Sequence, residues 1–263
     1  MREISYVLLN PTGNTTGLVL SSVGDPRRGG VTAALMNRCE QVGYLMPARK
    51  PGAAARLRMM GDEFCGNASM AAAAWLAQGE NLPPEEEKEV LLEVSGTDEL
   101  VRCRVRRDGS GWIGSTEMPL PLQIRPFSFR GEELTAVRMP GMTHLIRRGT
   151  DLAREEAESL LKEAGARFQE PAVGLLQWQE ETSTLIPLVW VKESETLVWE
   201  TACGSGAEAI ACWKCMERGE SVELTVNVPG GEMRSLAEWQ DGTIARAVIT
   251  GKIRIEAKEI LLI

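Results

Sequence analysis

The chain has 263 residues, of which 43% are hydrophobic and 25% charged, and its formal net charge is -8. This composition is typical of a globular protein with one large domain or two of medium size. The acidic balance repels phosphate backbones and argues against nucleic acid as a partner. No apolar run approaches the ~20 residues that span a bilayer, and the start lacks a signal-peptide order. We therefore expect a cytoplasmic protein without membrane or nucleic-acid partners.

The predicted elements alternate between strands and helices, which indicates an α+β fold. Apolar segments punctuated by Gly, Pro and Asn predict strands in the first half. An alanine-rich helix is predicted within residues 62–80, with Cys65 at its start, and two further helices are predicted later in the chain. The strands are predicted at residues 4–10, 17–22, 41–47, 56–60, 89–95 and 100–107, and the later helices at 151–166 and 204–220.

An internal repeat relates the two halves of the sequence. When Cys65 is placed on Cys203, CGNASMAAAAW lies over CGSGAEAIACW, and the tryptophans that end both stretches coincide. In each half, a strand and a glycine turn follow the helix. We therefore predict two related domains, 1–117 and 118–263, with the C-terminal tail as a candidate to pack on the first.

The six cysteines are too few for a disulfide scaffold, so we expect free thiols in a reducing compartment. Cys212 and Cys215 form a CxxC pair inside a predicted helix, without a second pair of ligands, and we interpret them as structural. His144 is the only histidine. Since the sequence also lacks a dinucleotide glycine fingerprint and a recognisable pyridoxal-phosphate lysine, we predict neither a metal nor a cofactor.

A cysteine at a helix N-terminus has unusual chemistry. The N–H groups and the helix dipole favour negative charge there, which lowers the pKa of a thiol and creates a site for a carboxylate. With two such motifs, one thiolate can remove a proton from a carbon while the other thiol delivers a proton to the opposite face. The predicted acid/base pair is Cys65 and Cys203, and the predicted carboxylate-binding residues are Gly66, Asn67, Gly204 and Ser205.

These assignments have structural alternatives. A free cysteine often serves as a small buried hydrophobic residue, and Asn67 and Ser205 are typical helix-capping types. The duplication at matched positions favours the catalytic interpretation. Two thiols that face each other would also invite a disulfide between Cys65 and Cys203 on oxidation.

The motifs FCGNASM and TACGSGAEA resemble the paired cysteine motifs of diaminopimelate epimerase and its relatives. NPTGNTTGLVL (10–20) and CEQVGYL (39–45) resemble the N-terminal Gly-Asn strand motif and the Glu-Gln segment of that family. The resemblance covers most of the chain. It implies a cofactor-independent racemase or epimerase, commonly a homodimer, with two mirrored α/β domains that each place a mixed sheet or partial barrel around a central helix.

The chain departs from diaminopimelate epimerase itself. Ala68-Ser69-Met70 stands where that enzyme has Gly-Ala-Arg, GMTH (141–144) where it has Gly-Asn-Pro-His, and ESETLVWETACG where it has a Glu-Arg-Gly stretch. Since buried polar partners dominate discrimination, these differences indicate another substrate. The motifs NPTGN, CEQVG, GDEFCGNA, WETACGSG and PGG resemble the histidine racemases of staphylopine-type metallophore synthesis, which implies conversion of L-histidine to D-histidine.

The resemblance also suggests further substrate-binding residues. Asn14 and Gln41 match family positions that touch substrate, although either could instead form a turn or core hydrogen bond. Glu40 and Glu200 are candidates to bind the α-ammonium or an imidazole, with a surface carboxylate as the alternative. His144 could line the pocket, but a lone histidine is often a structural residue.

Two other functions stay open from the sequence. One is a racemase or epimerase of the same fold for another amino acid, including diaminopimelate. The other is a relative that binds an amino acid without inverting it. The paired cysteines argue against the second, because such a relative does not need both thiols.

Overall fold

The computed structural model describes residues 2–80, 82–83 and 86–263. The chain divides into two compact units, Met1–Glu117 with Thr250–Ile263, and Met118–Ile249. The described residues form sixteen strands and four helices, which confirms the predicted α+β class. No helix in this part of the chain is long and apolar enough to cross a membrane.

The first unit is a sheet that closes on itself. Its elements are β1 (Glu3–Pro11), β2 (Thr16–Val19), α1 (Asp25–Leu35), β3 (Gln41–Met46), β4 (Ala55–Met59), α2 (Gly66–Ala77), β5 (Lys88–Val94), β6 (Leu100–Asp108), β7 (Gly111–Glu117) and the later part of β16 (Thr243–Leu262). The strand order is β1-β2-β3-β4-β5-β6-β7-β16, and β1 also pairs with β16. The pairs β2–β3 and β4–β5 are parallel and are connected through α1 and α2, since a parallel pair needs a crossover.

Helix α2 is buried on nearly all sides. It contacts β1, β5, β6 and β7, and Met70 and the run Ala71–Ala74 are fully buried. A helix that is apolar all round belongs in a core. Alanine favours the helix and lets its backbone approach the strands closely, so this sequence suits the centre of the ring.

The second unit repeats the alternation of hairpins and helical crossovers. Its elements are β8 (Gln123–Phe129), β9 (Glu132–Met139), β10 (Met142–Arg148), α3 (Arg154–Gly165), β11 (Ala172–Gln179), β12 (Thr184–Val191), β13 (Thr196–Trp199), α4 (Gly204–Arg218), β14 (Val222–Val228), β15 (Gly231–Gln240) and the first part of β16. The pairs β10–β11 and β12–β14 are parallel, and β13 pairs with β12. Helix α3 packs on β11 and β12, and α4 packs on β14, β15 and β10.

The predicted strands and helices are confirmed, with shifts at some ends, but helix α1 and the strands β7–β13, β15 and β16 were not predicted. Helix α3 begins at Arg154 rather than Asp151, since Asp151 instead accepts a hydrogen bond from Arg147 Nη1 at 2.7 Å. Helix α1 is absent from the sequence prediction. Gly29 and Gly30 lie at its centre, and glycine lowers helix propensity by about 1 kcal/mol relative to alanine, so tertiary packing of Val31 and Leu35 decides its formation.

Candidate active site

Cys65 is the N-cap residue of α2. Its backbone is extended (φ -136°, ψ 110°), and Sγ accepts a hydrogen bond from Ala68 N at 3.5 Å. The thiol donates to Gln41 Oε1 at 3.2 Å. The sulfur therefore occupies the position of a helix-capping oxygen, where the N–H groups of the first turn stabilise negative charge.

A network of amides surrounds this thiol. Asn14 is at its centre: Oδ1 accepts from Gln41 Nε2 at 2.6 Å and from Asn67 Nδ2 at 3.3 Å. Asn14 Nδ2 donates to Glu40 Oε2 at 2.8 Å. The structure thus joins Asn14, Glu40, Gln41 and Asn67 to Cys65 in one hydrogen-bonded cluster, while their contact with a substrate stays a prediction.

The turn between β1 and β2 delivers Asn14 to the cluster. Gly13 has φ 95°, a conformation that favours glycine, and its N–H donates to Asn10 Oδ1 at 2.7 Å. Asn14 N donates to Pro11 O at 3.1 Å, which closes the turn. The turn formed by the NPTGN motif therefore places the Asn14 amide beside α2.

Thr16 also belongs to the cluster, although the sequence analysis does not single it out. Its side chain is fully buried, and Oγ1 accepts a hydrogen bond from Gln41 Nε2 at 2.9 Å. Thr16 pairs with Gln41 across the parallel strands β2 and β3. Only this strand register places Thr16 beside Gln41, and a single sequence does not reveal the register of two strands.

Cys203 is the N-cap residue of α4 in the second unit, with φ -108° and ψ 104°. It is buried, and burial raises the pKa of its thiol well above the ordinary value. The Glu200 carboxylate raises the pKa further, both by its charge and by a hydrogen bond, and it outweighs the opposing effects of Ser205 and Gly206 N–H. The lowered pKa that we expected for a thiol at a helix start is therefore wrong for Cys203.

Ser205 lies between Cys203 and His144. Its Oγ is 3.5 Å from Cys203 Sγ and 2.9 Å from His144 Nε2, and it also contacts Met142 Sδ at 3.4 Å. The sequence did not predict Met142 as a site residue. The predicted residues Glu200, Cys203 and Ser205 are thus brought together, and His144 lies beside them.

His144 is completely buried, and desolvation lowers its pKa to about 3. The imidazole is therefore neutral at physiological pH. Gly174, the partner of His144 across β10 and β11, makes room for the ring: a Cβ at Gly174 would lie 2.4 Å from His144 Nδ1. His144 can exchange a hydrogen bond with Ser205, but it does not supply positive charge.

Gly66 and Gly204 are the first residues of α2 and α4, and both are buried. Their N–H groups lie in the first helical turn, where an anion is favoured. Their role in carboxylate binding stays a prediction. Within the described residues, no group of three or more His, Cys, Asp and Glu side chains is arranged to hold a metal ion.

Comparison with known proteins supplies the family. The model of the histidine racemase CntK N-terminal domain matches residues 3–261. The chain is 27% identical over 273 residues to a histidine racemase of Fusobacterium nucleatum subsp. nucleatum (strain ATCC 23726 / VPI 4351), covering 97% of this chain and 98% of the relative. The chain belongs to the histidine racemase family.

Other relatives agree. A histidine racemase of Staphylococcus aureus (strain Mu50 / ATCC 700699) is 26% identical over 240 residues, covering 88% of this chain and 87% of the relative. The fold is similar to that of a probable proline racemase from Agrobacterium radiobacter K84, with a TM-score of 0.73 at 17% identity over 99% of this chain and 93% of that one. The resemblance inferred from the cysteine motifs is confirmed, and the chain is an isomerase that racemises an amino acid.

Proposed function

We propose that this racemase converts L-histidine to D-histidine with two thiols and no cofactor. The observation that carries the proposal is the placement of a cysteine as the N-cap residue of each buried helix, at Cys65 and Cys203, within a chain of the histidine racemase family. A buried helix start offers both a proton-transfer group and N–H donors for a carboxylate.

The reaction needs one thiol on each face of the α-carbon. A thiolate takes the α-proton, the electron pair of the broken C–H bond delocalises into the carboxylate, and an S–H bond forms. The other thiol then gives its proton to the opposite face, so a new C–H bond forms and a thiolate remains. The N–H groups at the helix starts would stabilise the charge that develops on the carboxylate oxygens.

The raised pKa of Cys203 supports one choice of starting states in this scheme. Cys203 holds its proton at neutral pH because burial and Glu200 both disfavour its thiolate. We therefore propose Cys203 as the proton donor in the resting enzyme and Cys65 as the base. In the reverse direction the roles exchange.

Histidine as the substrate rests on the family and on the two relatives, both of which are histidine racemases. The polar groups around the thiols suit an amino acid with a polar side chain: Glu40 and Glu200 are the candidates to bind an ammonium or imidazole. The alternatives from the sequence remain, namely another amino acid, including diaminopimelate, or a relative that only binds one.

We also propose that the two units, which meet in the sequence between residues 117 and 118, descend from one duplicated domain. In the first unit, the strand pairs β1–β2 to β5–β6 run antiparallel, parallel, antiparallel, parallel and antiparallel. In the second unit, the pairs β9–β10, β10–β11, β11–β12, β12–β14 and β14–β15 follow the same order. Helix α2 lies between β4 and β5, and α4 lies between β12 and β14 with β13 before it, so each helix connects the second parallel pair of its unit.

The wider setting is proposed from resemblance alone. A homodimer, a cytoplasmic location and a place in metallophore synthesis follow from the likeness to the staphylopine-type racemases. Sedimentation equilibrium of the purified protein tests the dimer, and a single monomeric species at micromolar concentration would contradict it.

Solvent deuterium exchange with a panel of L-amino acids tests the function. We expect α-deuteration and racemisation with L-histidine and much less with L-arginine, L-proline or diaminopimelate. Exchange with another member of the panel but not with histidine would overturn the substrate. Absence of exchange with every amino acid would overturn the two-thiol mechanism.

A further inference from the structure

The peptide before Cys65 is held by the turn that follows β5. Ser95 Oγ donates a hydrogen bond to Glu63 O at 2.7 Å and accepts one from Met59 N at 2.9 Å. Glu63 lies two residues before Cys65. One hydroxyl therefore joins the end of β4, the turn after β5 and the segment that leads into the thiol.

Gly96, the next residue of this turn, packs directly on the same segment. Its φ is +79°, which favours glycine. A Cβ at Gly96 would lie 2.3 Å from Phe64 N and 2.8 Å from Glu63 C. The Glu63–Phe64 peptide is thus held by a hydrogen bond on its carbonyl and lies so close to Gly96 that a side chain there would clash with it.

The second unit contains the same contact, made by a different group. Gly230 N, in the turn after β14, donates to Thr201 O at 2.7 Å. Thr201 lies two residues before Cys203. In both units, therefore, the carbonyl of the residue two positions before the cysteine accepts a hydrogen bond. The donor is a hydroxyl in the first unit and a backbone amide in the second.

We propose that these two turns are positioning elements for the thiols, and that Ser95 is a positioning residue for Cys65. With the Glu63 carbonyl fixed, the chain enters α2 in one direction, which keeps Cys65 Sγ within reach of Ala68 N and Gln41 Oε1. Without the Ser95 hydroxyl, the sulfur moves away from the helix N–H groups that stabilise a thiolate.

The proposal rests on the proposed function only in that Cys65 is the reactive group, and its test does not need racemisation. The rate of iodoacetamide alkylation of Cys65 is measured between pH 6 and pH 10, with the modified cysteine located by peptide mass spectrometry. The variants are Ser95→Ala, Ser95→Thr, which keeps the hydroxyl, and Thr97→Ala. Thr97 is the matched control because it lies in the same turn and its Oγ1 accepts a hydrogen bond from the nearby Glu99 N–H, at 3.2 Å.

In Ser95→Ala we expect the alkylation midpoint of Cys65 to move to higher pH and its rate at pH 7 to fall about fivefold, the equivalent of one lost hydrogen bond. The rate at Cys203 should not change. Ser95→Thr should restore the wild-type titration, and Thr97→Ala should match the wild type. A lower melting temperature in Ser95→Ala with an unchanged Cys65 titration would overturn the proposal.

Gly96→Ala provides a second route, because it keeps the Ser95 hydroxyl but pushes on Phe64 N. We expect the same upward shift of the Cys65 midpoint, so the proposal stays testable if one of the two variants fails to fold. A shifted titration in a protein that racemises no amino acid supports the positioning and refutes the proposed function. Normal racemisation with an unshifted Cys65 titration supports the proposed function and refutes the positioning.

Discussion

Cys65 and Cys203 occupy the same position at the start of their helices, but their surroundings differ in kind. Cys65 donates to the neutral Gln41 amide, which binds Asn14, and the Glu40 carboxylate joins the cluster through Asn14. Around Cys203 the partners are a carboxylate, a hydroxyl and, through it, a neutral imidazole. Each thiol thus lies at a helix start, and at Cys203 burial and then the Glu200 carboxylate raise the thiol pKa.

The correspondence extends to the second residue after each cysteine. Asn67 contacts Asn14, and Ser205 contacts Met142. Asn14 and Met142 each follow a hairpin glycine with positive φ, Gly13 at 95° and Gly141 at 83°. A turn with a positive-φ glycine therefore carries an amide in the first unit and a thioether in the second.

The largest effect is expected from removal of either thiol. Cys65→Ser and Cys203→Ser should each lower the rate of histidine racemisation by about a thousandfold, because a serine hydroxyl is a much weaker acid than a thiol. Circular dichroism of both reaction directions measures this. Cys215→Ala, which removes a buried thiol elsewhere in α4, is the control. Full activity in either serine variant would refute the two-thiol mechanism.

The two helices also differ five residues after each cysteine, where α2 has Met70 and α4 has Glu208. Both side chains are fully buried, and neither Glu208 oxygen has a hydrogen-bond partner in the described part of the chain. Burial raises the pKa of Glu208 well above the ordinary value. The folded protein thus keeps a proton that the unfolded chain releases above pH ~4.3.

By linkage, this carboxyl makes the protein less stable as the pH rises from the unfolded-state pKa to the folded-state pKa, by about 1.4 kcal/mol per pH unit. Glu208→Gln should remove that dependence and should be more stable than the wild type at pH 8 but not at pH 4. Urea unfolding at several pH values measures the difference. Glu155→Gln, at an exposed position of α3, should leave the profile unchanged. Parallel profiles for Glu208→Gln and the wild type would contradict the prediction.

Asn14→Met places in the first unit the residue that the second unit has at the matching position. Gln41 Nε2, Asn67 Nδ2 and Glu40 Oε2 would each lose a partner. We expect kcat/KM to fall about a hundredfold, the equivalent of two or three hydrogen bonds. Met142→Leu should change it little, because Met142 offers only a weak acceptor. Equal effects of the two substitutions would mean that the two surroundings are not functionally distinct.

The smallest effect is expected at Gly174. Gly174→Ala would place Cβ against the His144 ring, and the displaced imidazole would lose its hydrogen bond to Ser205. We expect a loss of about 2 kcal/mol in the free energy of unfolding. Gly29→Ala in α1, where nothing lies within 4 Å of the added Cβ, should instead stabilise by about 0.5–1 kcal/mol. A Gly174→Ala protein as stable as the wild type would show that the ring has free space.

Local sequence signals account for much of the fold and of the Cys65 cluster. The alanine run predicts helix α2, and a turn was one of the alternatives for Asn14 in the NPTGN motif. Both depend on short stretches of chain, so a single sequence reveals them. The repeated Cys-Gly motifs predict two helix starts for the same reason.

The remaining features depend on contacts between distant segments. Glu208 would be expected on an exposed helix face, but the packing of α4 on β14 and β15 buries it. The pKa of Cys203 depends on its burial, which the helix-start argument alone does not include. Thr16 and Ser95 enter the first unit's site through strand register and a turn from another strand, neither of which is visible in the local sequence.

The long strand β16 decides the order in which the two units can be completed during synthesis. Its residues from Ile253 to Leu262 pair with β1, which the ribosome produces first. The first unit is therefore left open between β7 and β1 until β16 has emerged. The second unit, Met118–Ile249, is continuous and can close earlier. A chain truncated after residue 249 should hold a folded second unit and a first unit that still binds chaperones through its exposed strand edges.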